Sequence, residues 1–164
     1  MIYEKTGDAL ESGADIIAHQ VNCMQIMGGG IAAQIKKKWP EVNREYVRFC
    51  VETIASSGID SLMGRCQLVE YKPGAFVANL FGQFQCSSKI RMTNYEALYT
   101  ALSTLKYLAW ELAEKLDREV VIAIPKYIGC GLGGGSWGVV SAILDDLFAD
   151  DKMLRLEIIE WAQS

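Results

Sequence analysis

Asp15-Ile16-Ile17-Ala18-His19-Gln20-Val21 leads through Asn22-Cys23 to Gly28-Gly29-Gly30. Glu119-Val120-Val121-Ile122-Ala123-Ile124-Pro125 leads to Gly129-Cys130-Gly131-Leu132-Gly133-Gly134-Gly135. Each apolar run is too continuous for a strand with one wet face and predicts a strand covered on both sides. Each glycine cluster then precedes a segment with helical periodicity. A strand, a glycine loop and a helix N-terminus together make an anion site, because loop amides point at the ligand and the helix dipole favours negative charge. Two such loops in one small chain imply a ligand with two phosphates, or one long phosphorylated ligand held from both sides.

The remaining elements fall in place around these two. After the first cluster, Ile31, Ile35 and Trp39 form one apolar stripe on a short helix that Pro40 stops. Val42, Tyr46, Phe49 and Cys50 give the next helix its inner face. Cys66–Tyr71 alternates like a strand, Lys72-Pro73-Gly74 reads as a turn, and Phe76–Phe81 reads as the second strand of a hairpin. Thr93-Asn94-Tyr95-Glu96 has capping-box spacing. It opens a long helix with Leu98, Leu102, Leu105, Leu112 and Leu116 on one side. Ser136 is the expected N-cap of a helix bearing Val140, Ile143, Leu144 and Leu147, and Leu154–Trp161 ends the chain as a strand. Strands alternating with helices, plus one hairpin, predict an α/β fold: a three-layer α/β/α sandwich around a mixed central sheet. Ligands of such sheets bind beyond the strand C-termini, where both glycine loops sit.

The chain has 164 residues, one domain by length, and 51% are apolar, enough for a real core. A net charge of -4 argues against non-specific nucleic-acid binding, and Lys36-Lys37-Lys38 reads as a solvated helix face. The five cysteines form no C-x-x-C pair, so reduced thiols are expected rather than a disulfide framework. No His/Cys/Asp grouping has metal-ligand spacing, so neither a metal nor a cofactor is expected. Acidic residues at Glu4, Asp8, Glu11 and Asp15 do not suit a basic leader, and no apolar run reaches membrane-spanning length. A soluble, cytoplasmic protein is the expectation.

Individual residues carry two readings each. Asp8 is a cap or turn aspartate, or a carboxylate accepting from an exocyclic amine such as adenine N6. His19, the only histidine, is structural, or it ends a strand at the ligand face. Asn22 is a turn residue or a partner for a sugar hydroxyl. Cys130 is a nucleophile lacking a second histidine to activate it, or a small residue packed under its loop. Gly129-x-Gly131-x-x-Gly134 matches the dinucleotide fingerprint, with Glu157 and Glu160 downstream. However, Lys126-Tyr127-Ile128 separates it from its strand and little chain follows, which leaves an NAD-dependent oxidoreductase as a remote reading. Neither cluster ends in the Gly-Lys-Ser/Thr of a Walker loop.

Taken together these residues resemble a macrodomain, the ADP-ribose-binding module, over nearly the whole chain 1–164. The resemblance rests on Gly7-Asp8, on Ala18-His19-Gln20-Val21-Asn22-Cys23 with Gly28-Gly29-Gly30-Ile31-Ala32, and on Pro125 through Ile128-Gly129-Cys130-Gly131-Leu132. The first loop is particularly similar to the yeast-type ADP-ribose 1''-phosphate phosphatase branch. The second is similar to the terminal ADP-ribose protein glycohydrolase branch. The resemblance implies that Asp8, with Ala9 beside it, meets the adenine and that Trp161 stacks near it. It implies that the amides of Gly28, Gly29, Gly30, Ile31 and Ala32 and of Gly129, Cys130, Gly131, Leu132 and Gly133 hold the diphosphate, with Pro125 and Ile128 leading in. Asn22 would face the distal ribose. The glycohydrolase branch uses a lysine after a central strand and an aspartate after Gly-Cys-Gly-Leu; this chain has Gly82-Gln83 and Gly133 there. The other common hydrolase branch has Asn-x-x-Asn, and here the first of those positions is His19. The implied function is ADP-ribose binding with hydrolysis at the distal ribose, ADP-ribose 1''-phosphate being the expected substrate and His19 and Asn22 the expected catalytic residues. The alternatives are a non-catalytic reader and a hydrolase that takes ADP-ribose off protein.

Overall fold

The computed structural model describes residues 1–162. Six strands form one sheet: β1 (Ile2–Gly7), β2 (Ile16–Val21), β3 (Cys66–Lys72), β4 (Ala75–Phe81), β5 (Val120–Pro125) and β6 (Leu154–Trp161). Four helices accompany them: α1 (Gly30–Lys38), α2 (Pro40–Ser57), α3 (Tyr95–Leu116) and α4 (Trp137–Phe148). The strand order is β1-β6-β5-β2-β4-β3. All neighbours run parallel except the β3–β4 hairpin, so the sheet is mixed, as the pattern predicts.

The strands have period two, and the two cores follow it. Ile16 and Ala18 of β2, Ala78 and Leu80 of β4, and Ile122 and Ile124 of β5 pack beneath α3 and α4. Ile17 and Val21, Val77 and Phe81, and Ala123 turn the other way, toward α1 and α2. The result is three layers with an apolar core on each side of the sheet. Pro40 stands at the first turn of α2, where its missing N–H costs nothing, so the break after Trp39 ends one helix and starts the next.

Two expectations about α3 need correction. Its N-cap is Asn94, whose Oδ1 accepts from Ala97 N at 2.9 Å; Thr93 is committed elsewhere. Leu116 is 40% exposed in the last turn, and small residues, Ala109 and Ala113, complete the buried stripe instead. Small side chains let the C-terminal half of the helix lie close on the sheet. No helix among the described residues is long and apolar enough to cross a membrane.

Candidate ligand cleft

β2 and β5 are adjacent at the centre of the sheet, and the helices that follow them leave for opposite faces. That divergence opens a crevice at the strand C-termini. The two glycine loops form its walls.

The first loop is shaped by Asn22. Its Oδ1 accepts from Met24 N at 2.9 Å, its Nδ2 donates to Ile26 O at 2.8 Å, and Tyr46 OH donates to its carbonyl at 2.7 Å. The buried phenol thus anchors the loop to α2. Helical bonding in α1 begins at Ala33 N to Gly29 O, so the amides before it have no helical partner and remain available to a ligand. The second loop is held through Thr93. Its hydroxyl donates to Gly129 O at 2.6 Å, and its amide and that of Met92 both donate to Gly133 O. Gly129 takes φ +72°, a left-handed conformation that glycine adopts without strain. Gly133 is excluded from carrying a side chain: a Cβ there would stand 2.7 Å from Gly129 O and against the Thr93 hydroxyl.

Between the walls lies a cleft of about 320 Å³. Asn22, Gly28, Gly29, Gly30, Ile31 and Ala32 line one side; Pro125, Ile128, Gly129, Gly131, Leu132 and Gly133 line the other. A second hollow of about 180 Å³ adjoins it, sharing Ile31 and Pro125. Asp8, Ala9 and Trp161 are there together. Asp8 also caps a short 3-10 turn, its Oδ1 accepting from Leu10 N at 2.8 Å, as the cap reading expects.

Two expected residues are not brought to the cleft. Cys130 is not among the cleft-lining residues: its amide donates to Tyr127 O at 2.8 Å, its side chain packs against the core beneath α3 and α4, its thiol donates to Ile128 O at 3.4 Å, and burial pushes the thiol pKa up. His19 is fully buried inside the sheet, on the face it shares with Ile17 and Val21. It is paired in register with Asn79. Its tautomer follows from the hydrogen-bond chain. Glu45 O can only accept, so Gln67 donates its Nε2 there at 3.0 Å and turns Oε1 toward Asn79. Asn79 therefore donates Nδ2 and presents Oδ1, and His19 Nε2–H donates to it at 2.6 Å. Nδ1 is left buried without a partner. Burial, opposed by the Asn79 bond, lowers the imidazole pKa to about 4. A neutral group sealed in the sheet cannot serve as acid, base or nucleophile on a cleft ligand, so the catalytic expectation for His19 is corrected to a structural one.

The sequence reading also missed residues. Gln20, the neighbour of His19, lines the cleft, as do Gln83 and Cys86. Gln20 Nε2 donates to Gln83 Oε1 at 2.6 Å and to Thr93 Oγ1 at 2.9 Å, joining both walls. Period two held the signal: His19 falls in phase with the buried Ile17 and Val21, and Gln20 falls out of phase with them.

No family model matches the sequence. A search of curated proteins finds the ADP-ribose 1''-phosphate phosphatase of Lodderomyces elongisporus, 30% identical over 135 residues and covering 80% of each chain. Among solved structures, the macrodomain of Thermus aquaticus DarG superposes with a TM-score of 0.78 at 22% identity, over 98% of both chains. The chain belongs to the macrodomain family. Thermosipho africanus DarTG, solved in complex with ADP-ribose, matches 98% of this macrodomain with 41% of its own longer chain, at a TM-score of 0.74 and 18% identity. In this macrodomain the mixed sheet also disposes of the dinucleotide reading, since the fingerprint-like glycines follow the fifth strand rather than the first.

Proposed function

We propose that this macrodomain binds ADP-ribose along the joined clefts and releases a group from its distal ribose, with ADP-ribose 1''-phosphate as the preferred substrate. The observation that carries the reading is the pair of glycine loops facing each other across one cleft that runs on to Asp8. The adenine lies at the Asp8 and Trp161 end, where the carboxylate accepts from N6. The diphosphate lies between the loops, held by first-turn amides of α1 and by the second loop. The distal ribose lies toward Asn22, Gln20 and Gln83. The name of the Lodderomyces elongisporus relative, ADP-ribose 1''-phosphate phosphatase, supports the choice of substrate.

Chemistry in such a site rests on the chain's amides. Loop N–H groups stabilise charge on the transferring group, and Asn22, locked by Tyr46, orients the sugar. A second reading has a specific observation in its favour. No carboxylate or imidazole is found among the described residues that line the larger hollow, and Asp8 stands in the other, at the adenine end. A site without an evident general base suits a reader that holds ADP-ribose and leaves it intact. A protein-linked substrate is the third option, although Gln83 and Gly133 stand where the lysyl mechanism needs lysine and aspartate.

Calorimetry with ADP-ribose tests the binding, and phosphate release from ADP-ribose 1''-phosphate tests the chemistry. Binding with sustained release supports the phosphatase reading. Binding with no release from that substrate or from ADP-ribosylated protein leaves the reader. No heat and no thermal shift at saturating ADP-ribose removes the proposal altogether.

A further inference from the structure

Gln20 stands near the end of β2, the strand that has β4 on one side and β5 on the other. β4 leads into the segment holding Gln83 and Thr93, and β5 leads into the second glycine loop. A side chain at this place can therefore reach both segments. The Gln20 Nε2 donates to Gln83 Oε1 at 2.6 Å and to Thr93 Oγ1 at 2.9 Å. The direction of each bond is fixed at the two ends. Gln85 O only accepts, so Gln83 gives it Nε2 at 3.3 Å and turns Oε1 to Gln20. Gly129 O only accepts, so the Thr93 hydroxyl donates there at 2.6 Å and takes its own bond from Gln20. Gln20 is thus the double donor in the middle of an unbroken chain from Gln85 O to Gly129 O.

The same arrangement leaves Gln20 Oε1 buried without a partner among the described residues. Its carboxamide lies against bare backbone. A Cβ at Gly82 would meet Oε1 and stand 2.9 Å from the carboxamide carbon, and one at Gly133 would stand 2.9 Å from Nε2. An orphaned buried acceptor destabilises a fold, so packing alone does not favour a glutamine here. Methionine fills a similar space without that acceptor. What the glutamine adds is a pair of N–H groups aimed at two separate segments. The first loop has its own anchor, Asn22 with Tyr46.

We propose that Gln20 is a positioning residue: through Thr93 it sets the place of the second glycine loop against the first, and ADP-ribose affinity depends on its two N–H groups while fold stability does not. The dependence of affinity rests on the cleft being the ADP-ribose site.

The test compares Gln20→Met with the wild type by ADP-ribose calorimetry, thermal unfolding and amide hydrogen exchange. The variant is expected to bind ADP-ribose about five- to ten-fold more weakly, the usual worth of a hydrogen bond or two, with an unfolding midpoint close to that of the wild type. Without ligand, its Gly134 and Gly135 amides, which bond to Gly131 O and Gly129 O, exchange faster, while the Met24 amide of the first loop does not. Gln20→Met and Thr93→Val break one chain, so the double variant binds as the weaker single variant does. Gln20→Met and Asp8→Asn act apart, so their effects on affinity multiply. Affinity within about two-fold of the wild type overturns the proposal. So do multiplying effects in the Gln20 and Thr93 pair, and unchanged exchange at Gly134 and Gly135. A Gln20→Met chain that fails to fold, or that loses stability in step with affinity, marks a merely structural residue and overturns it too. If the wild type binds no ADP-ribose, the functional reading fails, and the exchange rates at Gly134 and Gly135 still decide whether Gln20 holds the loop.

Discussion

His19 shows how one position can carry a family resemblance and a structural duty at once. Its side chain lies in the Asn79–Gln67–Glu45 hydrogen-bond chain that crosses β2, β4 and β3 to reach α2. The folded imidazole takes a proton only near pH 4, whereas the unfolded one takes it near 6.5. The unfolded state therefore binds more protons in that window, and stability is lost as the pH falls from about 6.5 to about 4. The shift corresponds to a loss of about 3 kcal/mol. Urea unfolding of the wild type and His19→Gln at pH 7 and pH 4.5 checks this. The variant is expected to be less stable at pH 7 and flatter with pH; parallel pH profiles would refute the assignment. His19→Ala should keep its per-molecule turnover once the folded fraction is measured, unlike a catalytic histidine, whose removal typically costs about 10²–10⁴ in rate. The sequence names the residue but not its direction, because one histidine between Ala18 and Gln20 looks alike from either face until the phase of Ile17 and Val21 is counted.

At the scale of elements, apolar patterning places the central strands β2 and β5, the β3–β4 hairpin and β6 within a residue or two, since burial leaves few other arrangements, whereas the mostly exposed edge strand β1 carries no such pattern. What periodicity cannot supply is the partner of a polar side chain that leaves its own element. Thr93 and Asn94 illustrate the point. Local spacing gives Thr93 the cap, but its hydroxyl is drawn to Gly129 O across the sheet end, and Asn94 caps α3 instead. Two separable outcomes are expected. Asn94→Ala should cost about 1 kcal/mol of stability, measured by chemical unfolding, with ADP-ribose affinity intact. Thr93→Val nearly keeps the shape but removes the hydroxyl tie to Gly129 O while the backbone ties to Gly133 O remain, and so should weaken ADP-ribose binding more than it lowers stability. Equal effects of the two variants on affinity would show that the loop needs no such tie. Within the core of α3, Leu102 is fully buried, and Leu102→Ala should lower stability by about 2–5 kcal/mol.

Over the whole molecule, the cleft exists because β2 and β5 lie side by side while their helices leave on opposite faces. Strand order is long-range information, and the glycine loops disclose it only because their function demands that they meet. The start of that central pair is itself tied down: Arg118 holds Asp15 at 2.7 Å, and Val121 N donates to the same carboxylate. Burial alone would raise the Asp15 pKa, yet these bonds hold it below the usual range. The opposite end of the strands is left for the ligand. In the proposed orientation a ligand that fills both hollows meets Asp8 at its adenine end and the Thr93-held loop along its diphosphate, with Ile31 and Pro125 shared between. Asp8→Asn should therefore weaken ADP-ribose by roughly ten-fold, the usual worth of one charge-assisted hydrogen bond, and leave ribose 5-phosphate unaffected because that fragment lacks adenine. Thr93→Val should weaken both ligands. Since the two substitutions act on separate ends, their free-energy costs for ADP-ribose should add in the double variant. A double variant no weaker than Asp8→Asn alone would mean that the ligand never spans the two hollows at once, and the orientation proposed for it would have to be abandoned.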